Sequence, residues 1–163
     1  RIWQLSLAMR EPVTAYVGLG ANLGDAAGTL MQALHRLGRS QGVVLTAQSS
    51  LYRSAPVDSS GPDYINAVVE LHTHLTAPDL LRCVHGIEMA AGRERPYRNA
   101  PRTLDLDILL YGDGQVGSVM LTIPHPRMWQ RAFVLVPLAE IAPQRVSAEC
   151  LHHVLNQGVV KLP

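Results

Sequence analysis

The spacing of apolar positions changes period several times along the chain, and each change predicts an element. Residues 14–20 (TAYVGLG) form a short apolar run ending at glycines and read as a strand. In 25–38, Leu30, Ala33, Leu34 and Leu37 recur at helical spacing, and Gly38 is a stop signal. Residues 42–52 are β-branched and predict an extended strand, whereas 54–63 (SAPVDSSGPD) have turn composition. From 64 to 75 the pattern alternates. Ile65, Ala67, Val69 and Leu71 fall on one face, with Tyr64, Asn66, Val68 and Glu70 on the other.

Helical spacing returns at 76–92, where Leu80, Leu81, Val84, Ile87 and Ala91 make one stripe. Thr76 is placed to cap it, Pro78 and Asp79 lie in its first turn, and Gly92 ends it. Alternation over 103–111 sets Leu104, Leu106, Ile108 and Leu110 against Thr103, Asp105, Asp107 and Leu109. Asp113-Gly114 predicts a hairpin turn into a return strand at 118–126. Residues 127–143 read as a short helix with apolar packing segments, and 148–158 as a final short helix.

The order strand, helix, strand, strand, helix, strand predicts a ferredoxin-like βαββαβ core of the α+β class. Its antiparallel sheet would carry both helices on one face, with extra C-terminal strand and helix elements. The other face would be free for a ligand. The strand phase turns Leu104, Leu106, Ile108 and Leu110 toward the helices and both aspartates toward that free face.

Length and composition narrow the classes. The 163 residues suit a single domain, taken as 13–163, preceded by a leader at 1–12 with no assigned role. An apolar fraction of 47% with 17% charged residues excludes intrinsic disorder. A formal net charge of +1 argues against coating nucleic acid through bulk charge. The basic residues are thirteen arginines and one lysine, Lys161, which leaves no lysine in the body for a P-loop or a Schiff base. Cys83 and Cys150 form no CxxC pair, so reduced thiols and a cytoplasmic location are expected. No apolar run approaches the ~20 residues of a membrane-spanning helix, so no membrane partner is expected.

The candidate chemistry lies in 93–107. Asp105 and Asp107 sit on one strand face, roughly 6 to 7 Å apart at Cβ. Two anions so close call for a counter-charge, and Mg2+ takes one or two carboxylates together with waters and substrate phosphates. Alone, such a pair is more often a polar strand face. Just upstream, Arg93, Arg95, Arg98 and Arg102 fall within ten residues that contain one acid, Glu94. Carboxylates for a metal beside phosphate-clamping arginines are the components of phosphoryl transfer.

Other features carry less. The glycines of GLGANLG follow a strand and precede a helix, but no GxxxxGK[ST] is present, so Gly18, Gly20 and Gly24 read as turn and close-packing residues. His72, His74, His152 and His153 lack metal-ligand spacing. His125, held between Pro124 and Pro126, has a fixed direction from which it could donate to a phosphate.

Taken together, AYVGLGANLGD, SSLYRSAPV, PDYINAVVEL, IEMAAGRERPYRNAPRTLDLDILLYG and LTIPHPRMWQRAFVLVPLAEIAP resemble, in that order, the 6-hydroxymethyl-7,8-dihydropterin pyrophosphokinase family over roughly 14–145. The RNAPRTLDLDIL block is the most specific part. The resemblance implies transfer of diphosphate from ATP to the pterin hydroxymethyl group, in a monomer that binds no nucleic acid.

It implies that Asp105 and Asp107 hold two Mg2+ ions, and that Arg93 and Arg102 engage the phosphates with help from Arg95 and Arg98. Glu88, Thr122, His125 and Arg131 match nucleotide-contact positions. Asn66 matches the residue that reads the pterin amide edge, and Tyr64 and Phe133 the aromatic pair around the ring. Main-chain groups at Ser54, Ala55 and Val57, with Asp105, would complete that pocket. The chain departs from some members at Asn99, Met120 and Pro126, and its arginine loop is one residue shorter.

Two other classes share parts of this pattern. An RNA-binding module on the same fold needs aromatics on adjacent central strands and a basic surface. A metal-dependent phosphohydrolase would admit water in place of the pterin hydroxyl.

Overall fold

A computed structural model describes residues 11–56, 61–92 and 104–163. The elements run β1 (Val13–Ala21), α1 (Ala26–Gly38), β2 (Val43–Gln48), β3 (Tyr52–Ser54), β4 (Tyr64–Thr73), α2 (Ala77–Ala91), β5 (Asp105–Tyr111), β6 (Val116–Gly117), β7 (Thr122–Ile123), α3 (Ala132–Ile141), α4 (Ala148–Val154) and β8 (Val159–Lys161). The fold is α+β. One antiparallel sheet has the order β5-β1-β4-β3-β8, with β2 also paired to β4.

Local chemistry explains the helix boundaries. The Asp25 carboxylate accepts from the Gly28 amide at 3.0 Å and starts α1. The Thr76 hydroxyl accepts from Asp79 N at 3.2 Å, with Pro78 in the first turn of α2. The stripes of both helices then bury Leu30, Leu34, Leu37, Leu80, Val84 and Ile87 against Ala15, Val17, Leu19, Val69, Leu71, Leu104, Leu106 and Ile108 of the sheet.

Three features differ from the expectation. The strand expected at 42–52 is broken into β2 and β3. At the break Ser49 Oγ accepts from Val68 N at 2.9 Å, so a side chain replaces the ladder for one step. In β5 the alternation fails after Ile108: Val17 pairs with Ile108 and Tyr16 with Leu110, leaving Leu109 as a bulge. Leu110 therefore joins Leu109 on the face away from α1 and α2, whereas Tyr111 turns to the helix side. The expected return strand does not rejoin the sheet; β6 and β7 form a separate two-stranded ribbon. The C-terminal β8, one of the extra C-terminal elements expected, adds to β3.

The face expected to be free is half covered. The C-terminal α3 packs Ala132, Val134, Leu135 and Leu138 on Tyr16, Val68, Leu109 and Leu110. Its sequence is apolar nearly all round, and such a helix must be buried rather than left on the surface. Glu140 secures it, accepting from Ser50 N at 3.1 Å and Tyr52 Oη at 2.6 Å. The half of this face that α3 does not cover carries Asn66, Asp105 and Asp107.

Candidate active site

The cleft at the uncovered end of the sheet holds about 210 Å3. Its floor is β1, where the glycines lie inside the strand rather than in a loop. Gly20 is paired with Asp105 of β5 on one side and with Asn66 of β4 on the other. Gly18 is paired with Asp107 and Val68. A Cβ on Gly20 would stand 3.3 Å from Asn66 Oδ1. With no side chains on these two residues, the carboxylates and the amide face one another across an open floor. Gly24 does serve a turn, with φ of +58°.

The walls come from sequence-distant segments. Ser54, Ala55, Tyr64, Asn66, Asp105, Asp107, Arg131 and Phe133 all line the cleft. The strand phase accounts for the first group: Tyr64 and Asn66 share a face of β4, as Asp105 and Asp107 do of β5. Arg131 and Phe133 arrive at the start of α3, with the Arg131 guanidinium carbon 5.4 Å from the centre of the Phe133 ring.

Asn66 is 3% exposed, and its Nδ2 donates to Ser54 Oγ at 2.7 Å. That bond fixes the amide and leaves Oδ1 on the Gly20 side, as an acceptor for a ligand N–H.

His125 stands beside this group. Its N–H donates to the Leu109 carbonyl at 3.0 Å, which ties it to the bulge of β5. Burial pushes the imidazole pKa below its ordinary value; Asp107 pulls upward, and Arg131 and Arg127 push down. Nδ1 accepts from Arg127 N at 3.2 Å, so the neutral ring carries its proton on Nε2. Glu88, on the last turn of α2, accepts from Leu106 N at 2.7 Å. Thr122 is exposed on β7 and is not among the residues that line the cleft. Val57, Arg93, Arg95, Arg98 and Arg102 lie outside the described residues.

The described acids suit a hard cation. Two carboxylates share the cleft, and among the described residues no group of three or more His, Cys, Asp or Glu could hold a metal. A zinc-like cage needs such a group, whereas Mg2+ completes its shell with water and phosphate oxygens.

The sequence reading missed the role of Gly18 and Gly20. The available signal was their parity with Tyr16, which puts them on the face opposite Val17 and Leu19. Leu109 and Val134 also line the cleft; nothing in the local pattern separated them from ordinary core residues.

A family model described as 7,8-dihydro-6-hydroxymethylpterin-pyrophosphokinase matches residues 16–143. A Synechocystis sp. protein named 2-amino-4-hydroxy-6-hydroxymethyldihydropteridine pyrophosphokinase is 48% identical over 132 residues, 81% of this chain and 68% of that one. A Bacillus subtilis protein of the same name is 43% identical over 131 residues, covering 80% and 78%. A solved Plasmodium falciparum HPPK-DHPS chain superimposes with a TM-score of 0.68 at 18% identity, over 94% of this chain. This chain spans 44% of that longer protein, and the likeness speaks to the fold alone. The match over most of the chain, with relatives well above 30% identity, shows that it belongs to the 7,8-dihydro-6-hydroxymethylpterin-pyrophosphokinase family.

Proposed function

We infer that this chain transfers the β,γ-diphosphate of ATP to the hydroxymethyl group of 6-hydroxymethyl-7,8-dihydropterin, giving AMP and the pterin diphosphate in folate biosynthesis. Family membership supports the reaction. The observation that carries the site is the pairing of Gly20 with both Asp105 and Asn66. Acid and amide are two inter-strand spacings apart, about 9.5 Å, a span suited to a fused two-ring heterocycle with a short arm. The amide holds the ring at one end, and the hydroxymethyl arm reaches the carboxylates at the other.

Each residue has a role in that reading. Tyr64 and Phe133 stack on the ring, Asn66 Oδ1 accepts from its amide edge, and Ser54 and Ala55 close the rim with Val57. Asp105 and Asp107 would hold two Mg2+ ions, which when bound neutralise phosphate charge and orient the hydroxyl. Arg131 and the Nε2–H of His125 bind phosphate oxygens, and Glu88 and Thr122 complete the nucleotide side. Arg93 and Arg102, aided by Arg95 and Arg98, stabilise charge on the transferring group.

In the reaction, the hydroxymethyl oxygen bonds to the β-phosphorus and its proton is released to solvent. The bond from that phosphorus to the α,β-bridging oxygen breaks, and AMP leaves. The chain acts as a cytoplasmic monomer in this reading.

The test is to mix the protein with MgATP and the dihydropterin and to follow AMP and pterin diphosphate. Equal amounts of both are expected. AMP formed without the dihydropterin would instead indicate a phosphohydrolase. Absence of AMP from folded protein would overturn the reading.

A further inference from the structure

Among the described residues, the strand that bears both aspartates lies at the edge of the sheet. One side of β5 is paired to β1, and the outward N–H and C=O groups of an edge strand need other partners. Two of those partners are specific. The Leu109 carbonyl accepts from the His125 amide at 3.0 Å. The Leu106 amide donates to Glu88 Oε2 at 2.7 Å.

The second bond falls on the peptide between Asp105 and Leu106, inside the three-residue stretch that carries both acidic side chains. Strand side chains alternate faces, so a twist or slip at this peptide would carry a carboxylate out of the cleft. Glu88 is well placed to prevent that. It sits on the last turn of α2, whose end is held by Gly92 N donating to the Glu88 carbonyl at 2.9 Å. Its neighbour Ile87 is buried in the core against the sheet. A carboxylate accepting from a backbone N–H makes a stronger bond than a neutral acceptor does.

We propose that Glu88 is a positioning residue for the aspartate pair: its carboxylate fixes the Asp105–Leu106 peptide and so holds Asp105 and Asp107 in the cleft. The proposal deepens the functional reading above and rests on it for the role of the aspartates. It assigns Glu88 an effect exerted through β5, over and above any contact with nucleotide.

The test compares Glu88→Ala and Glu88→Gln in the full chain by two readouts. The first is amide hydrogen exchange of Leu106 in ligand-free protein, with Val17 and Gly18 of β1 as internal references. The second is steady-state kinetics with Mg2+ varied. The glutamine retains an acceptor oxygen, and the alanine does not.

In Glu88→Ala, Leu106 exchange should quicken about 10-fold, as expected for loss of roughly one hydrogen bond, while the reference amides keep their protection. The same variant should lose kcat and need more Mg2+, beyond whatever change in KM for ATP follows from a lost nucleotide contact. Glu88→Gln should restore Leu106 protection and most of kcat. Unchanged Leu106 exchange in the alanine variant would overturn the proposal. So would a rise in KM for ATP alone, or a glutamine variant as impaired as the alanine. If the wild-type chain shows no diphosphate transfer, the functional reading fails, and the exchange comparison still decides the role of Glu88.

Discussion

The face of the sheet opposite α1 and α2 is two regions built from the same three strands. At one end Tyr16, Val68, Leu109 and Leu110 meet α3, and this end is sealed. At the other end Gly18, Gly20, Asn66, Asp105 and Asp107 occupy the equivalent positions and leave a cleft. Backbone geometry is continuous between them; side-chain volume and polarity are not. Large apolar groups draw a helix over the strands, whereas glycines flanked by an amide and two carboxylates repel an apolar cover and admit a polar ligand. Binding surface and core are therefore alternative outcomes of one strand phase.

The sharpest way to break this comparison is at the open end. Asp107→Ala should lower turnover by about 10²–10³-fold, the scale for removing one preorganised electrostatic contributor. Thermal unfolding should be little changed, because the Asp107 side chain is exposed. AMP release under saturating MgATP is the measurement, and near-normal rates would remove Asp107 from the proposed metal site.

At the sealed end, Leu135→Ala should do the reverse. Leu135 is fully buried, and the truncation should cost ~2–5 kcal/mol in denaturant unfolding. Turnover per folded molecule should persist. A larger loss of turnover than of folded protein would mean that the two ends are not separable.

Gly20→Ala tests the floor between them. The new methyl would crowd Asn66 Oδ1 at 3.3 Å, and overpacking of this order costs about 1–3 kcal/mol. The expected result is a pterin KM raised about tenfold or more, with KM for ATP unaffected. If pterin KM stayed constant, Asn66 would not be the ring-reading group.

A smaller effect is predicted for pH. The Tyr16 phenol donates to Glu70 Oε2 at 2.6 Å, and burial, then the bond and charge of Glu70, push its pKa up to about 12. The folded state therefore keeps a proton that the unfolded chain releases near pH 10. The stabilisation is fully present below pH 10 and declines as pH rises toward about 12. Tyr16→Phe should flatten unfolding free energy across that window. Tyr52, raised similarly by burial and Glu140, should account for part of the remaining slope. An unchanged slope in Tyr16→Phe would show that the folded state does not hold the Tyr16 phenol neutral across that window.

Much of this arrangement was readable in advance. Thr76, Asp79 and Gly92 bracketed α2 because caps act within a few residues. Asp105, Asp107, Tyr64 and Asn66 fell on the correct faces because strand parity is local. Leu110 was assigned the wrong face because the bulge at Leu109 depends on pairing with Tyr16 and Val17, nearly a hundred residues earlier. The face thought free was half covered because the apolar run at 132–141 carries no local sign of which surface will bury it.

Local sequence sets which side chains are polar, where the chain turns from helical to strand period, and that two carboxylates share a face. These are properties of neighbours along the chain. Long-range packing places Gly20 between Asp105 and Asn66, keeps α3 from covering them, and brings Glu88 to the peptide between the aspartates. Each of those outcomes is a contact between segments distant in sequence. Its geometry is set by strand register and by burial of the whole core, not by any short stretch alone.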